Sequence, residues 1–333
     1  MNRRITRRRL GKLIGGLGAV ASSANSGRAS AQVQGNQLQG KIAFVRNGNI
    51  WSWSGGEANE ILEGGNISDP RWSPDGESLI YVKSGNSFSD LYSFNTSTNS
   101  ETQRTFNEPP YDIGSIEYAD YTSWAMDPDW ARTGLIGFMS DKAATDAYLG
   151  LWLMPSLESE PYYALEPGVE EDISGLSLAY DGSFASYTVR VSYVDGTRVT
   201  YVALRDLNTG VAAAVAESRN DIFDSAISPD GAWIAITIRS TAGITDLWIV
   251  QRATSERSRL TRDENAMSPR WSDDGQWFGY IRVSDFQFEI WAASFSDGKI
   301  SGAAKIYDEE GIDPQSGLSW FTPPTNDPGT ATE

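Results

Sequence analysis

Cysteine and histidine are both absent from this 333-residue sequence. Without cysteine the folded chain has no disulfide bonds, so its stability must come from a packed core. Without histidine it cannot form a Ser-His-Asp or Cys-His triad, and it has no imidazole for zinc binding or acid–base catalysis. These two absences exclude several classes of catalytic and metal site before any motif is considered.

Long apolar runs and capped helical patterns are missing too. No stretch is apolar enough over a sufficient length to cross a membrane as a helix, and none shows long helical periodicity. Aromatic residues are plentiful, with 12 Trp, 14 Tyr and 12 Phe, and 40% of the residues are apolar. A chain of this length can bury a large core, as a barrel or a repeat array does.

The first 31 residues have the features of an export signal. A basic start precedes a short apolar run, Leu13 to Ala21, and Ala29-Ser30-Ala31 resembles a signal-peptidase site. The segment TRRRLGK (6–12) resembles a twin-arginine motif, although an ordinary secretory signal would use the arginines only for their charge. We therefore expect a periplasmic or extracellular protein, with a signal at 1–31, a leader at 32–39, one domain at 40–322 and a flexible tail at 323–333.

Acidic residues outnumber basic ones. The precursor has 44 acidic and 27 basic residues, a net charge of −17. Seven of the basic residues lie in the export signal, so the mature chain keeps 20 and has a charge of −24. Such a surface repels nucleic acid and anionic lipid and attracts cations or basic partners. Adaptation to a salty habitat would produce the same acidity without a binding role.

A turn motif recurs at intervals of 44 to 54 residues, which indicates a repeat array. In this motif Pro presets the first turn dihedral, Asp hydrogen-bonds nearby backbone, and Gly tolerates a positive φ. We expect the aspartates of the motif to be structural. The copies are Ser73-Pro74-Asp75-Gly76, Asp127-Pro128-Asp129-Trp130, Ala179-Tyr180-Asp181-Gly182, Ser228-Pro229-Asp230-Gly231 and Ser272-Asp273-Asp274-Gly275.

A second motif, an apolar–aromatic pair that opens a strand, recurs between the turns. Its copies are Ile50-Trp51, Leu91-Tyr92, Leu151-Trp152, Leu247-Trp248 and Ile290-Trp291, with Val199-Thr200-Tyr201 as a looser sixth. The six units predict an all-β fold, a six-bladed β-propeller of four-stranded antiparallel blades. The first unit lacks an inner strand, and residues 317–321 supply one. We therefore expect this C-terminal strand to join the N-terminal blade and close the ring. The alternative, an open solenoid, would leave the first unit without an inner strand.

At these motifs the sequence resembles the TolB-like propeller family, whose repeats have the form W-S-P-D-G…I-Y-V…D-L-Y/W. The best matches are DPRWSPDGESLIYV (69–82), AISPDGAWIAIT (226–237) and PRWSDDGQWFGYI (269–281). The resemblance spans about residues 40–322 and implies the propeller alone, without the N-terminal α/β domain of TolB. Many propellers share this repeat, so the resemblance implies a fold more strongly than a biological role.

The blade order predicts that the turn motifs lie on one face and the crossings between blades on the other. All six crossings contain acidic residues, so we expect an acidic collar around the channel mouth. The collar consists of Glu63, Glu108, Glu170, Glu171, Asp172, Asp221, Asp263, Glu264, Asp308, Glu309, Glu310 and Asp313. Docking of a cationic partner, Ca²⁺ binding and a merely solvated rim are the three interpretations. No crossing has the spacing of a calcium-binding loop.

The longest loops are expected on the same face as the collar. They are NEPPYDIGSIEYADY (107–121), with Tyr111, Tyr118 and Tyr121, and SDKAATDAYLG (140–150), with Tyr148. Phe286, in RVSDFQF (282–288), would contribute from the other side. Aromatic residues in long loops are candidate binding residues, although these loops could also bury them against blade three.

The sequence favours a non-enzymatic binding or scaffold protein of the cell envelope, without a cofactor, that docks a protein or peptide with a basic surface. The main alternative is a carbohydrate-active enzyme with paired carboxylates in the channel, because that chemistry needs no histidine. The inner strands are expected to be poor in acid, with Asp69 and Asp224 as exceptions. Their matching positions are predicted to hold Trp72, Met126, Leu178, Ile227, Trp271 and Trp320. A structural module of a larger envelope assembly is a third possibility.

Overall fold

The computed structural model describes residues 38–142, 149–165, 171–193, 195–218 and 221–323. These residues form six four-stranded sheets and one short helix, α1 (Ile116–Asp120). No helix in these ranges is long or apolar enough to cross a membrane. The expected export signal and residues 324–333 of the expected tail lie outside the described ranges.

Each sheet is one blade of antiparallel strands, and in five of the six blades all four strands follow one another in the chain. Blade one contains β1 (Lys41–Arg46), β2 (Asn49–Ser54) and β3 (Glu57–Leu62); blade two contains β4 (Ile67–Trp72), β5 (Ser78–Ser84), β6 (Ser89–Asn95) and β7 (Ser100–Gln103). Blade three contains β8 (Ala125–Trp130), β9 (Ile136–Ser140), β10 (Gly150–Met154) and β11 (Tyr162–Leu165). Blade four contains β12 (Glu171–Leu178), β13 (Phe184–Ser192), β14 (Arg198–Asp206) and β15 (Ala212–Ser218).

Blade five contains β16 (Asp221–Ile227), β17 (Trp233–Arg239), β18 (Thr245–Gln251) and β19 (Arg257–Arg259). Blade six contains β20 (Ala266–Trp271), β21 (Trp277–Ser284), β22 (Gln287–Ser296) and β23 (Lys299–Tyr307). The last strand, β24 (Ser319–Phe321), returns to blade one as its inner strand.

β24 closes the ring. It pairs antiparallel with β1, with Trp320 opposite Ile42 and Ser319 opposite Ala43. The Trp320 side chain is 2% exposed, and its indole N–H donates to the carbonyl oxygen of Gln39 (3.0 Å). β24 also contacts β4 and β20, the inner strands of the two neighbouring blades. The predicted six-bladed propeller, closed by a C-terminal inner strand, is confirmed.

The hydrophobic core lies between adjacent blades. Ala43 of blade one packs in one cluster with Tyr81 of blade two, and Ile42 packs in another cluster with Ile281 of blade six. A blade therefore buries both of its faces, which explains why the second strand of blade three, IGFMS, is buried at every position.

The turn motifs form as predicted in blades two, four, five and six. In blade two the Gly76 N–H donates to the Ser73 carbonyl oxygen (2.8 Å), and the Asp75 carboxylate accepts from the Glu77 N–H (2.9 Å). Gly76 has a φ of 71°, in the region that favours glycine. The equivalent aspartates, Asp181, Asp230 and Asp274, accept the same backbone bond.

The turn prediction for blade three is wrong. Residues 127–130 lie inside β8, and the turn is formed by residues 131–134, where the Gly134 N–H donates to the Ala131 carbonyl oxygen (3.0 Å). Trp130, not Met126, therefore occupies the position of Trp72. Proline and aspartate are typical of turns, but proline is also tolerated in an edge strand, and each inner strand is the edge of its sheet.

The direction of the strands defines the two faces of the ring. The turns after the inner strand and after the third strand lie on one side, here called the turn face. The crossings between blades and the loops between second and third strands lie on the other side, here called the crossing face. The collar residues that the structure describes lie in these crossings or at the strand ends that adjoin them.

Candidate functional site

The inner strands surround the central channel, and a residue with a positive φ lies at a matching position in five of them and just before the sixth, β24. In five of the six strands a register shift marks a β-bulge there. The residues are Asp69, Asp127, Gly175, Asp224, Ser268 and Gly317, with φ between 48° and 66°. Glycine adopts this conformation at little cost, and aspartate does so more readily than most residues. These six residues are called the bulge layer.

Carboxylates of the bulge layer join neighbouring blades. Asp127 accepts from the backbone N–H of Gly175 in blade four (2.8 Å), and Asp224 accepts from the backbone N–H of Ser268 in blade six (3.1 Å). Asp69 instead accepts from the hydroxyl of its neighbour Ser68 (2.8 Å). Two of the three carboxylates thus hold one inner strand to the next.

The bulge layer contains carboxyl groups with raised pKa values. Burial, and then the charge of Asp127, raises the pKa of Asp69 to about 7. Burial also raises the pKa of Asp127 and that of Asp224. Each of the three residues is partly buried and lines the same channel cavity. Asp69 and Asp127 therefore form an interacting pair that retains a proton at higher pH than an exposed pair would.

A salt bridge crosses the channel below the bulge layer. Arg270 of blade six donates to the Asp129 carboxylate of blade three (2.6 Å), and these two blades are opposite each other in the ring. Asp129 also accepts from the Leu178 N–H (2.7 Å), and the Arg71 guanidinium of blade two lies 3.7 Å from it. Burial raises the pKa of Asp129, but Arg270 and Arg71 outweigh burial and hold that pKa below its usual value. This contact is called the cross-channel bridge.

A second set of contacts spans the channel nearer the turn face. The Tyr180 hydroxyl of blade four donates to the Asp273 carboxylate of blade six, and Arg132 of blade three lies 3.6 Å from the same carboxylate. Burial, followed by the charge of Asp273, raises the pKa of Tyr180, so the phenol stays protonated and remains a donor. The channel is therefore occupied by its own side chains at two levels.

The cross-channel bridge divides the channel into two cavities. The cavity toward the crossing face is lined by Asp69, Arg71, Asp127, Asp224 and Gln315. The cavity toward the turn face is lined by Trp72, Asp129, Tyr180, Trp271 and Asp273. Arg270 lines both, so its side chain stands between them.

Sequence reasoning missed most of the charged residues of the channel. The expectation that the inner strands are poor in acid is overturned for Asp127 and Asp129, which had been placed in a turn. An alignment of ISDPRW (67–72), AMDPDW (125–130) and AMSPRW (266–271) would have found them. In this alignment the residue before Trp is Arg, Asp and Arg, the three charges of the cross-channel bridge.

Six of the ten collar acids whose side chains the structure describes form salt bridges within the blade or with its neighbour. The pairs are Asp172–Arg190 (3.7 Å), Asp221–Arg239 (2.8 Å), Asp263–Arg259 (2.9 Å), Glu264–Arg282 (3.8 Å), Asp308–Lys305 (2.8 Å) and Glu309–Arg46 (2.6 Å). Asp313 accepts from the Gln315 N–H and the Ser316 hydroxyl in the turn before β24. Glu170 and the Glu171 side chain lie outside what the structure describes.

A ring of basic residues accounts for four of these six pairs. Arg46, Arg190, Arg239 and Arg282 occupy the same place near the crossing-face end of the second strand, and Lys83 does so in blade two. Several of their charged groups also lie over aromatic rings, as Arg46 does over Trp51 (4.7 Å) and Arg282 over Trp291 (4.9 Å). The repeated endings FVR, YVK, TVR, TIR and YIR carry this signal in the sequence. The collar is therefore locally compensated over much of its circumference.

The predicted aromatic residues have different surroundings. Tyr111 and Tyr121 are exposed, and their ring centroids are 5.2 Å apart. Tyr118 is buried, and its hydroxyl donates to the Asn86 carbonyl oxygen (2.7 Å). Phe286 is 79% exposed on the loop after β21, in the blade opposite blade three. Tyr148 lies outside the described residues, and Glu108 is exposed beside Phe106.

Within the described ranges, no group of three or more acidic side chains is placed to hold a metal ion. The bulge-layer carboxylates are thus too far apart to act as a common set of ligands. The described part of the chain therefore offers no calcium site that would support the calcium interpretation of the collar.

Comparisons with solved structures find other propellers. A TolB-type protein from Agrobacterium tumefaciens matches with a TM-score of 0.61 and 17% identity, over 85% of this chain and 94% of that one. TolB from Acinetobacter baumannii matches with a TM-score of 0.58 and 18% identity, over 80% of this chain and 66% of that one. An oligogalacturonate lyase from Vibrio parahaemolyticus matches with a TM-score of 0.51 and 12% identity, over 82% and 75% of the two chains.

No protein-family model and no curated protein matches the sequence. The structural similarities, all below 20% identity, establish the fold alone. At that level the resemblance to TolB-like propellers is confirmed: the chain has the same six-bladed ring. An enzyme and two TolB-type proteins share it, so the fold does not select between a binding and a catalytic role.

The cross-channel bridge predicts a large loss of stability for Asp129→Asn. The substitution removes the carboxylate that two buried guanidinium groups share, so we expect the free energy of unfolding to fall by about 3–5 kcal/mol. Urea unfolding at neutral pH measures it, with Glu63→Gln, an exposed charge removal on the crossing face, as the control. A loss below about 1 kcal/mol would show that the bridge is not a structural contact of this kind.

The raised pKa of Asp69 predicts how stability depends on pH. The folded carboxyl binds its proton up to about pH 7, whereas its unfolded value is 3.8, so ionisation of Asp69 destabilises the fold as pH rises between these values. We expect Asp69→Asn to be more stable than the parent at pH 8 by up to about 4 kcal/mol, with no gain near pH 4.

Urea unfolding across pH 4–8 tests this expectation. Asp181→Asn is the matched control, because its hydrogen bond from Ser183 lowers the pKa of Asp181, which therefore does not titrate between pH 5 and 8. Equal stability of the parent and Asp69→Asn at pH 8 would contradict the prediction.

Proposed function

We propose that this protein is an exported, non-enzymatic binding propeller of the cell envelope that docks a protein or peptide with a basic surface on its crossing face. The observation that carries this proposal is the closed channel. Arg270, Asp129, Tyr180 and Asp273 fill the channel with contacts among themselves. A partner larger than a small molecule must therefore bind on a face of the ring.

The crossing face is better suited to this role than the turn face. The turn face consists of short turns whose aspartates are used in backbone hydrogen bonds. The crossing face carries the long loop of residues 107–121 and exposed collar acids that form no salt bridge with any described residue. Those acids include Glu63, Glu108 and Glu310. With a charge of −24 on the mature chain, such a face attracts a basic partner and repels anionic lipid.

The proposal of export rests on the sequence of residues 1–31. Their basic start, apolar run and Ala29-Ser30-Ala31 ending are those of a cleaved signal, and TRRRLGK supports the twin-arginine route. A chain without cysteine has no disulfide to form after export, which is compatible with folding before translocation.

Docking on the crossing face predicts salt-sensitive retention of a basic protein. Residues 32–333, which include every described residue, are immobilised and exposed to envelope extract at low and high salt. We expect a basic protein to be retained at low salt, and its retention to fall severalfold in Glu63→Gln/Glu108→Gln/Glu310→Gln.

The control for this experiment is Glu57→Gln/Glu77→Gln/Glu256→Gln. It removes the same charge from exposed positions on the turn face. An equal effect of both triple variants would mean that total charge, not the crossing face, attracts the partner. Retention of nothing at either salt would contradict the docking role.

A carbohydrate-active enzyme is the second candidate, and the interacting pair Asp69 and Asp127 favours it. One carboxyl with a pKa of about 7 beside a second carboxylate is the type of arrangement that glycosidic bond cleavage uses. The pair faces the cavity that opens toward the crossing face. This is the only channel chemistry that the described residues suggest.

This candidate predicts release of sugar ends from a polysaccharide. The similar lyase makes oligogalacturonate the first substrate to test, followed by neutral glycans. Turnover should be lost in both Asp69→Asn and Asp127→Asn and kept in Asp221→Asn, whose carboxylate is paired with Arg239 on the collar. Turnover that persists in Asp69→Asn would exclude the pair as the catalytic site.

A further inference from the structure

The crossing between blades two and three carries a cluster of exposed apolar side chains. Nine large apolar side chains are exposed among the described residues, and five of them lie within residues 106–121. The five are Phe106, Tyr111, Ile113, Ile116 and Tyr121, with exposed fractions of 43–69%. They are called the apolar ridge. The other four, Tyr162, Tyr193, Val211 and Phe286, are scattered over blades three, four and six.

The segment that carries the apolar ridge is anchored at both ends. At its start the Asn107 side chain donates to the Ser89 carbonyl oxygen (2.8 Å), and the Asn107 N–H donates to the Asp90 carboxylate (2.9 Å). At its end the Trp124 N–H donates to the Asp141 carboxylate (2.7 Å).

The middle of the segment is anchored as well. Tyr118 of α1 is buried and bonded to Asn86, and the Ser115 side chain caps the helix by accepting from the Tyr118 N–H (3.0 Å). The segment thus buries one aromatic side chain, Tyr118, against the blades and leaves the five apolar side chains of the ridge exposed to solvent. A held segment presents such a surface with a small loss of conformational entropy on binding.

Four exposed carboxylates lie among the ridge residues: Glu108, Asp112, Glu117 and Asp120. None of them forms a salt bridge with a residue that the structure describes, in contrast to the paired acids of the other crossings. The nearby cation is Lys142, whose ammonium group donates to the Phe106 carbonyl oxygen (3.4 Å). The ridge therefore combines uncompensated negative charge with exposed apolar surface.

We propose that the apolar ridge docks a basic amphipathic segment of a partner protein, with the apolar side chains of that segment on the ridge and its Lys or Arg residues against the four carboxylates. This inference rests on the proposed function, a crossing face that docks a basic partner, and it names the surface and the chemistry of the partner. An anionic membrane and a second copy of this acidic chain are disfavoured as occupants, because both repel the same carboxylates.

The test measures binding of a fluorescent peptide of about 14 residues with Lys and Leu in an amphipathic helical pattern. A reference peptide of equal charge has Gly in place of Leu. Fluorescence anisotropy with residues 32–333 is expected to give an affinity for the Leu peptide at least tenfold higher than for the Gly peptide, with loss at high salt.

Two double variants test separately the apolar contacts and the charge contacts of the proposed docking. Ile113→Ser/Ile116→Ser should lower the affinity for the Leu peptide about tenfold, and Glu117→Gln/Asp120→Asn should lower it severalfold at low salt only. All four side chains are exposed, so urea unfolding should be unchanged. Val211→Ser, which removes an equally exposed apolar side chain from the turn face, is the matched control.

The outcomes separate this inference from the function on which it rests. Equal affinity for the two peptides, or an equal loss in Val211→Ser, overturns the docking role of the ridge. Peptide binding that resists both ridge variants but falls in Glu63→Gln/Glu310→Gln overturns the ridge and leaves the crossing-face function standing. Retention of neither peptide nor basic envelope protein overturns both, and binding to phosphatidylglycerol vesicles instead of the peptide overturns the choice of a protein partner.

Discussion

The salt bridge between Arg270 and Asp129 is the contact on which the centre of this propeller depends. Its charges come from opposite blades, and Arg71 of a third blade shares the carboxylate. Buried charges are costly unless paired, so these groups are compatible with the ring only when all three inner strands are in place. The hydrophobic core cannot impose that requirement, because each of its clusters joins only adjacent blades. The bridge therefore links the ring across its diameter.

The same contact determines where recognition can occur. A channel filled by Arg270, Tyr180 and Asp273 leaves two polar cavities rather than a passage. The cavity toward the crossing face keeps the pair Asp69 and Asp127, whose burial and mutual repulsion raise the pKa of Asp69. The proposed carbohydrate chemistry would therefore use that cavity, and the proposed docking of a macromolecule would use a face of the ring. Both proposed functions follow from this division of one channel.

The sequence was sufficient to predict the ring of six blades but not the contacts between charged residues in its channel. Turn motifs and apolar–aromatic pairs repeat because each blade needs them, and Trp320 marked the strand that closes the ring. The charges of Asp129 and Arg270 become partners only through a ring geometry that brings residues 141 positions apart into contact. Pro128 between two aspartates suggested a turn because its place at a sheet edge is a tertiary property. The collar acids were found, but their pairing with arginines such as Arg239 depends on strand register.

The crossing between blades two and three departs from the sixfold repeat, and the propeller fold does not explain that departure. Five of the six blades have a turn after the inner strand, every blade has an interface with each neighbour, and a residue with a positive φ recurs in or just before each inner strand. The crossing from Leu62 to Ile67 shows how short a connection can be, whereas the one from Gln103 to Ala125 adds α1 and the apolar ridge. Exposing five apolar side chains weakens no blade contact and lowers solubility, so packing gives no reason for them. The proposed partner gives such a reason, and the basic surface proposed for that partner would complement the four carboxylates beside the ridge.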